Sequence, residues 1–229
     1  MKLTELFGGH WPDVALFDLD GTLVDSAPDL AAAVDRTLEQ LGREPAGLER
    51  VRQWVGHGSP ILIRRALAGR ADWEPASTVD DTLFNDALAL FFTNYQQFNG
   101  QHAVVYPGAE ACLQALTEHG CRLAVVTNKP EQFTGPLLRQ LGLAKYFRLV
   151  VGGDTLSTKK PDPAPLHYAM KTLQGSLNRT VMVGDSAADV SAARAAGLPC
   201  IAVTYGYNFG KPVQALEADA VVDSLSELL

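Results

Sequence analysis

The chain has 229 residues, 47% apolar and 20% charged, which suits one large α/β domain or a core with a smaller companion and excludes disorder. Its formal net charge of −7 argues against a broad nucleic-acid surface, and no run of about 18 uninterrupted apolar residues predicts a membrane span. MKLTELFGGHWPD at the start lacks the apolar core of a secretory signal, and the three cysteines have neither metal-site nor redox spacing, so a reducing cytoplasmic location is expected.

The first apolar run, VALF from Val14, predicts a strand buried on both faces. Asp18 and Asp20 stand at its end, with Gly21 directly after. From about Ser26 to Tyr106 there are helix patterns and no convincing strand. APDLAAAVDRTLEQLG places Leu30, Val34, Leu38 and Leu41 on one helix face, and Ser26 with Asp29 resembles a capping box. LERVRQWVG, SPILIRRALAG and TVDDTLFNDALALFFTNYQQFNG follow. Such a stretch far exceeds the ~2–6 residues of an ordinary βα connection. It is expected to form a second, all-helical domain over residues 26–105, with residues 1–25 and 106–229 forming the core.

From Tyr106 onward strand and helix patterns alternate. RLAVVT from Arg122, FRLVV from Phe147, TVMVG from Thr180 and CIAVT from Cys200 read as strands, and AVV from Ala220 adds a sixth. The helix pattern before the first of these ends at Gly120, and the one after it contains Pro136, where a break or kink is expected. The alternation predicts a doubly wound parallel α/β sheet.

Ligands of such sheets bind beyond the carboxyl ends of the strands. Asp18 and Asp20 follow the first strand there, and Thr127, Asn128 and Lys129 the second; Lys159 and Lys160 come after the third, and Asp185, Ser186 and Asp189 after the fourth. Lys159 reads as an exposed loop charge. Asp18, Asp20 and Asp185 would repel one another unless a hard dication relieved them, and magnesium suits carboxylates, water and substrate phosphate. With a lysine, a hydroxyl and backbone N–H groups, the set offers what a phosphoryl group needs, and an aspartate aimed at phosphorus is a potential covalent nucleophile.

These residues resemble the motifs of the haloacid dehalogenase superfamily phosphatases. The first motif stands as Asp18-Leu19-Asp20-Gly21-Thr22, the second as Val125-Val126-Thr127-Asn128-Lys129, the third as Lys160-Pro161-Asp162-Pro163, and the fourth as Gly184-Asp185-Ser186-Ala187-Ala188-Asp189. The resemblance implies a Rossmann-like core with a helical cap inserted after the first strand. It implies that Asp18 is the nucleophile and Asp20 the general acid/base, with Thr127, Asn128 and Lys160 on the phosphate. Mg2+ would be held by Asp18, the Asp20 carbonyl and Asp185, with Asp189 orienting that shell. Asp20 favours oxygen leaving groups over halide. WVGHGSPILIRRAL, KKPDPAPL and TYGYN further resemble bacterial phosphoglycolate phosphatases, although His57 stands where asparagine is expected in many relatives. The cap loop Gly56, His57 and Gly58 is expected to face the site, with Arg64 or Arg65 available to a substrate carboxylate. The implied substrate is a small phosphorylated acid or sugar, with a nucleotide, a phosphoglucomutase-like transfer or mere ligand binding as alternatives. The oligomeric state stays open between monomer and homodimer.

Overall fold

The structure, a computed structural model, describes residues 3–72, 79–208 and 212–229. Among them, six strands form one wholly parallel sheet: β1 (Val14–Phe17), β4 (Arg122–Val126), β5 (Phe147–Val151), β6 (Thr180–Gly184), β7 (Cys200–Val203) and β8 (Ala220–Val222), in the order β5-β4-β1-β6-β7-β8. All six coincide with the predicted runs. Their lack of alternation has a direct cause, since apolar layers cover both faces. Ala15 and Phe17 pack with α5 (Ala109–Glu118) and α6 (Glu131–Gln140) on one side. Val14 and Leu16 pack with α7 (Ala164–Thr172) and α8 (Ala187–Ala196) on the other. Pro136 does not interrupt α6, which runs through it.

The stretch between β1 and β4 contains α1 (Ala27–Gln40), α2 (Leu48–Arg52), α3 (Ser59–Ala68) and α4 (Asp81–Phe98), with a separate apolar core around Val34, Trp54, Ile63 and Phe91. The predicted segment for α4 began at Thr78, which lies outside the described residues. At the two ends of this helical insertion the chain forms β2 (Val24–Asp25) and β3 (Val104–Val105), paired antiparallel. This two-residue ribbon corrects the expectation of no strand in that interval. It is too short to carry an apolar pattern of its own.

Ser26 and Asp29 do not make the expected capping box. Ser26 stands before α1 with no side-chain cap, and its hydroxyl instead donates to Asp20 at 2.5 Å. Asp29, fully buried, accepts from the backbone N–H groups of Gly100 and His102, each at 2.6 Å. The carboxylate thus ties the start of the insertion to its exit. Asp29→Asn would turn an amide donor toward one of those two N–H groups. The variant is expected to lose about 2 kcal/mol, the scale of a buried hydrogen bond to a charged group, read as a lowered urea midpoint at unchanged m.

No helix among the described residues is long and apolar enough to cross a membrane.

Candidate active site

β1, β4 and β6 lie side by side, so the residues after them meet at one edge of the sheet. Lys160, 2% exposed, reaches in from the segment after β5 and bridges two carboxylates. Its ammonium lies 3.0 Å from Asp18 Oδ1 and 2.6 Å from Asp189 Oδ1. Asp18 Oδ1 also accepts the Leu19 N–H at 2.7 Å. The other Asp189 oxygen accepts the N–H of Asp185, and the N–H and hydroxyl of Ser186, at 3.2, 3.0 and 2.7 Å. Asp189 therefore caps α8 and steadies Lys160 together. Asp185, 1% exposed, accepts the Thr22 hydroxyl at 2.6 Å and the Tyr207 N–H at 2.7 Å.

One ligand oxygen from each of Asp18, Asp185 and Asp189 falls within 4.8 Å of the others. One lysine cannot balance three carboxylates. Burial, less the relief from Lys160 and increased by Asp189 and Asp20, pushes the Asp18 carboxyl up to about 6. Burial, with Asp189 and Asp18 beside it, holds Asp185 well above the usual range. Burial pulls Lys160 down, but Asp18 and Asp189 outweigh it and leave the ammonium firmly charged. The surplus is one of negative charge among oxygen donors, so the residues fit a hard divalent cation.

A small cleft, about 40 Å³, opens beside this cluster. Asp18, Asp20, Thr127, Asn128 and Lys129 line its sheet side, and Leu30, Val55, Gly56, Gly58, Ser59 and Leu62 its insertion side. The Asn128 amide donates to the Lys160 carbonyl at 2.9 Å, fixing the loop that delivers the lysine. Asp18, Asp20, Thr127, Asn128, Lys160, Asp185 and Asp189 are thus brought together. Gly56 and Gly58 reach the cleft as expected, whereas the His57 side chain is not among its lining groups.

Arg64 and Arg65, expected to be available to a substrate carboxylate, lie off the cleft lining. Arg64 pairs with Asp81 at 3.3 Å and lies over the Phe84 ring, while Arg65 donates to the Trp54 carbonyl at 2.8 Å; neither lines the cleft. On α3 the face that packs is set by Leu62, Ile63 and Ala66, and the arginines fall beside it. Lys159 is no exposed charge either. It is half-buried, its ammonium donates to the His57 carbonyl at 3.3 Å, and burial pulls its pKa down.

Three contributors escaped the sequence reading. Lys129 was visible in the motif after β4 but not chosen. Its ammonium lies 3.2 Å from Asp20 Oδ1. Thr22 was visible in the first motif, and its role depends on Asp185, 163 residues away. Tyr207 lay within TYGYN with no signal of its partners. Its N–H serves Asp185, while its hydroxyl donates to Asp25 at 2.6 Å and accepts the Ala27 N–H at 2.9 Å.

A family model described as haloacid dehalogenase-like hydrolase matches residues 12–197. The phosphoglycolate phosphatase of Pseudomonas putida is 51% identical over 225 residues, covering 98% of this chain and 81% of that protein. Phosphoglycolate phosphatase 1 of Pseudomonas aeruginosa is 47% identical, covering 97% of this chain and 80% of that protein. Among solved structures, one described as a predicted phosphoglycolate phosphatase from Haemophilus somnus superposes with a TM-score of 0.87 at 32% identity, covering 94% of this chain and 96% of that one. CbbY from Rhodobacter sphaeroides in complex with phosphate gives 0.78 at 25% identity, covering 95% and 96%. With a strand-end cluster built for phosphate chemistry and relatives matched over nearly its whole length, the chain belongs to the haloacid dehalogenase-like hydrolases and is a phosphatase of small phosphorylated compounds.

Proposed function

We propose that the protein hydrolyses 2-phosphoglycolate to glycolate and inorganic phosphate through an aspartyl-phosphate on Asp18, with Mg2+ as cofactor. The observation that carries this reading is the asymmetry of the Asp18 carboxylate. One oxygen is anchored by Lys160 and the Leu19 N–H, and among the described residues nothing donates to the other, on a side chain that lines the cleft. A fixed carboxylate with one open oxygen is poised for in-line attack.

In the first half-reaction that oxygen bonds to phosphorus as the ester P–O bond breaks, and Asp20 gives its proton to the departing glycolate oxygen. In the second, Asp20 takes a proton from the water that attacks phosphorus, and the Asp18–phosphorus bond breaks. Thr127 and the backbone at Asn128 would donate to phosphoryl oxygens, and Lys160 would balance their charge. Mg2+, held by Asp18, the Asp20 carbonyl and Asp185 with Asp189 orienting the shell, would neutralise the phosphoryl oxygens and draw the anionic substrate against an anionic nucleophile.

We read the helical insertion, residues 26–105, as a cap over a core of residues 1–25 and 106–229. The small volume of the cleft beneath Val55, Gly56, Gly58 and Leu62 favours a two-carbon acid over a nucleotide. A panel of phosphomonoesters with Mg2+ and with chelator tests the assignment. 2-Phosphoglycolate is expected to exceed sugar phosphates and nucleotides in kcat/KM by about tenfold or more. Equal rates across the panel would remove the substrate assignment, and release persisting in chelator would remove the metal.

Gly21 gives a sharper test of Asp185. Its φ is +92°, and an added Cβ would stand 2.4 Å from Asp185 Oδ2. Gly21→Ala must therefore push that carboxylate aside, and the Mg2+ concentration for half-maximal rate is expected to rise about 10-fold or more. An unchanged Mg2+ requirement would take Asp185 out of the metal shell.

A further inference from the structure

Asp20 is held by contacts that none of the roles above uses. Lys129, at 5% exposure, places its ammonium 3.2 Å from Asp20 Oδ1 and 3.4 Å from Oδ2, so it faces both oxygens of that carboxyl. The same ammonium donates to the Tyr95 hydroxyl and lies 4.5 Å from the centre of the Tyr95 ring. Tyr95 belongs to α4 of the insertion and is 1% exposed, stacked on Phe91 and edge-on to Phe133. The Ser26 hydroxyl completes the arrangement on Oδ1 at 2.5 Å. A lysine ammonium has three protons. One is shared between Asp20 Oδ1 and Oδ2 and a second goes to Tyr95, so two of the three are committed to these groups. A phenolic oxygen and a carboxyl together offset the cost of burying the charge.

We propose that Lys129, backed by Tyr95, is the positioning residue of Asp20, fixing its carboxyl in the orientation that serves the leaving oxygen and the attacking water. The arrangement parallels the one at Asp18, where Lys160 does the anchoring. An ammonium donates to a carboxyl oxygen whether or not the other oxygen carries a proton, so the hold persists through both half-reactions. Because Tyr95 comes from the insertion and Lys129 from the sheet, the alignment of Asp20 depends on the two being docked.

The proposal rests on the reading of Asp20 as acid/base, and the test separates the two. Glycolate is a poor leaving group that needs a proton, whereas acetyl phosphate, of similar size, expels acetate, which needs none. The kcat/KM values for both substrates are measured with Mg2+ for wild type, Asp20→Asn, Lys129→Met, Lys129→Arg and Tyr95→Phe. Lys129→Met is expected to lose about 100-fold on 2-phosphoglycolate and to stay within about threefold on acetyl phosphate. Lys129→Arg is expected to recover most of the loss, and Tyr95→Phe, which keeps the ring but removes the acceptor, to show the same selectivity at about tenfold. Should Lys129→Met fail to fold, the two milder variants carry the test. If Asp20→Asn itself fails to spare acetyl phosphate, the acid/base reading falls. If Asp20→Asn spares it while the Lys129 variants lose both substrates alike, lose neither, or only raise KM for 2-phosphoglycolate, the positioning role falls.

Discussion

Asp18→Asn is expected to abolish phosphate release, with kcat reduced by at least about 10⁴-fold, while the protein stays folded. An amide cannot attack phosphorus, and among the described residues no other carboxylate is both anchored by a lysine and open on its second oxygen toward the cleft. Stability should move the other way. The Asp18 carboxyl is raised to about 6 because its ionised form is buried near Asp189 and Asp20 with only partial relief from Lys160. Its native pKa lies above its unfolded one, so its contribution is most favourable below the unfolded value of 3.8 and is lost as pH rises through about 6. At pH 7 the charged form is a cost in the metal-free protein, and Asn removes it. The metal-free variant is therefore expected to melt at the wild-type temperature or above, and Mg2+ to raise its Tm less than it raises that of the wild type. Phosphate release and paired melts with and without Mg2+ check both halves. Turnover within about 100-fold of wild type would remove Asp18 as nucleophile.

Lys160→Met has the larger expected effect on the fold. The ammonium bridges Asp18 at 3.0 Å and Asp189 at 2.6 Å, and Met leaves both carboxylates buried beside Asp185 with no cation among them. Breaking a buried ion pair from one side costs about 3–5 kcal/mol, and that is the destabilisation expected at pH 7 without metal. Left alone, the carboxylates bind protons more readily in the folded than in the unfolded chain. The variant is therefore expected to gain stability as pH falls from 7 toward 5.5. Added Mg2+ should restore part of the lost stability by linkage, but not the rate. Loss of the positive group that the proposed mechanism sets beside the phosphoryl oxygens is expected to hold kcat about 10³-fold down. Urea midpoints at the two pH values, each with and without Mg2+, read the first effect, and steady-state kinetics the second. A variant as stable as wild type at pH 7 would mean the acidic cluster is already neutral without its lysine.

The sheet was legible because its physics is local. Strands covered on both faces need unbroken apolar runs, and six such runs became six strands. The convergence of Asp18, Thr127, Asn128, Lys160 and Asp185 was legible for a related reason: a parallel sheet carries the ends of its adjacent strands to one edge, so position after a strand already implies convergence. What escaped depended on partners distant in sequence. Ser26 and Asp29 had the spacing of a helix cap, yet the hydroxyl turned to Asp20 and the carboxylate to two backbone N–H groups more than seventy residues on. Charge made Arg64 and Arg65 available to a substrate carboxylate in the sequence, but the packing of α3 sets them beside Asp81 and the Trp54 carbonyl, off the cleft lining. Lys129 carried no periodic signal, because its role is set by a carboxyl on one segment and a phenol on another.

The Tyr207 contacts bear on how the chain comes off the ribosome. The residue touches Asp185 with its backbone and Asp25, 182 positions earlier, with its hydroxyl. A nascent chain that has emerged only as far as α8 already carries Asp18, Asp20, Lys160 and Asp185, but Asp185 still lacks one of its two donors and the start of α1 lacks its phenolic clasp. Such a fragment would have the proposed nucleophile without a finished setting for it, so hydrolytic competence should appear late in synthesis, when the segment after β7 has closed over both.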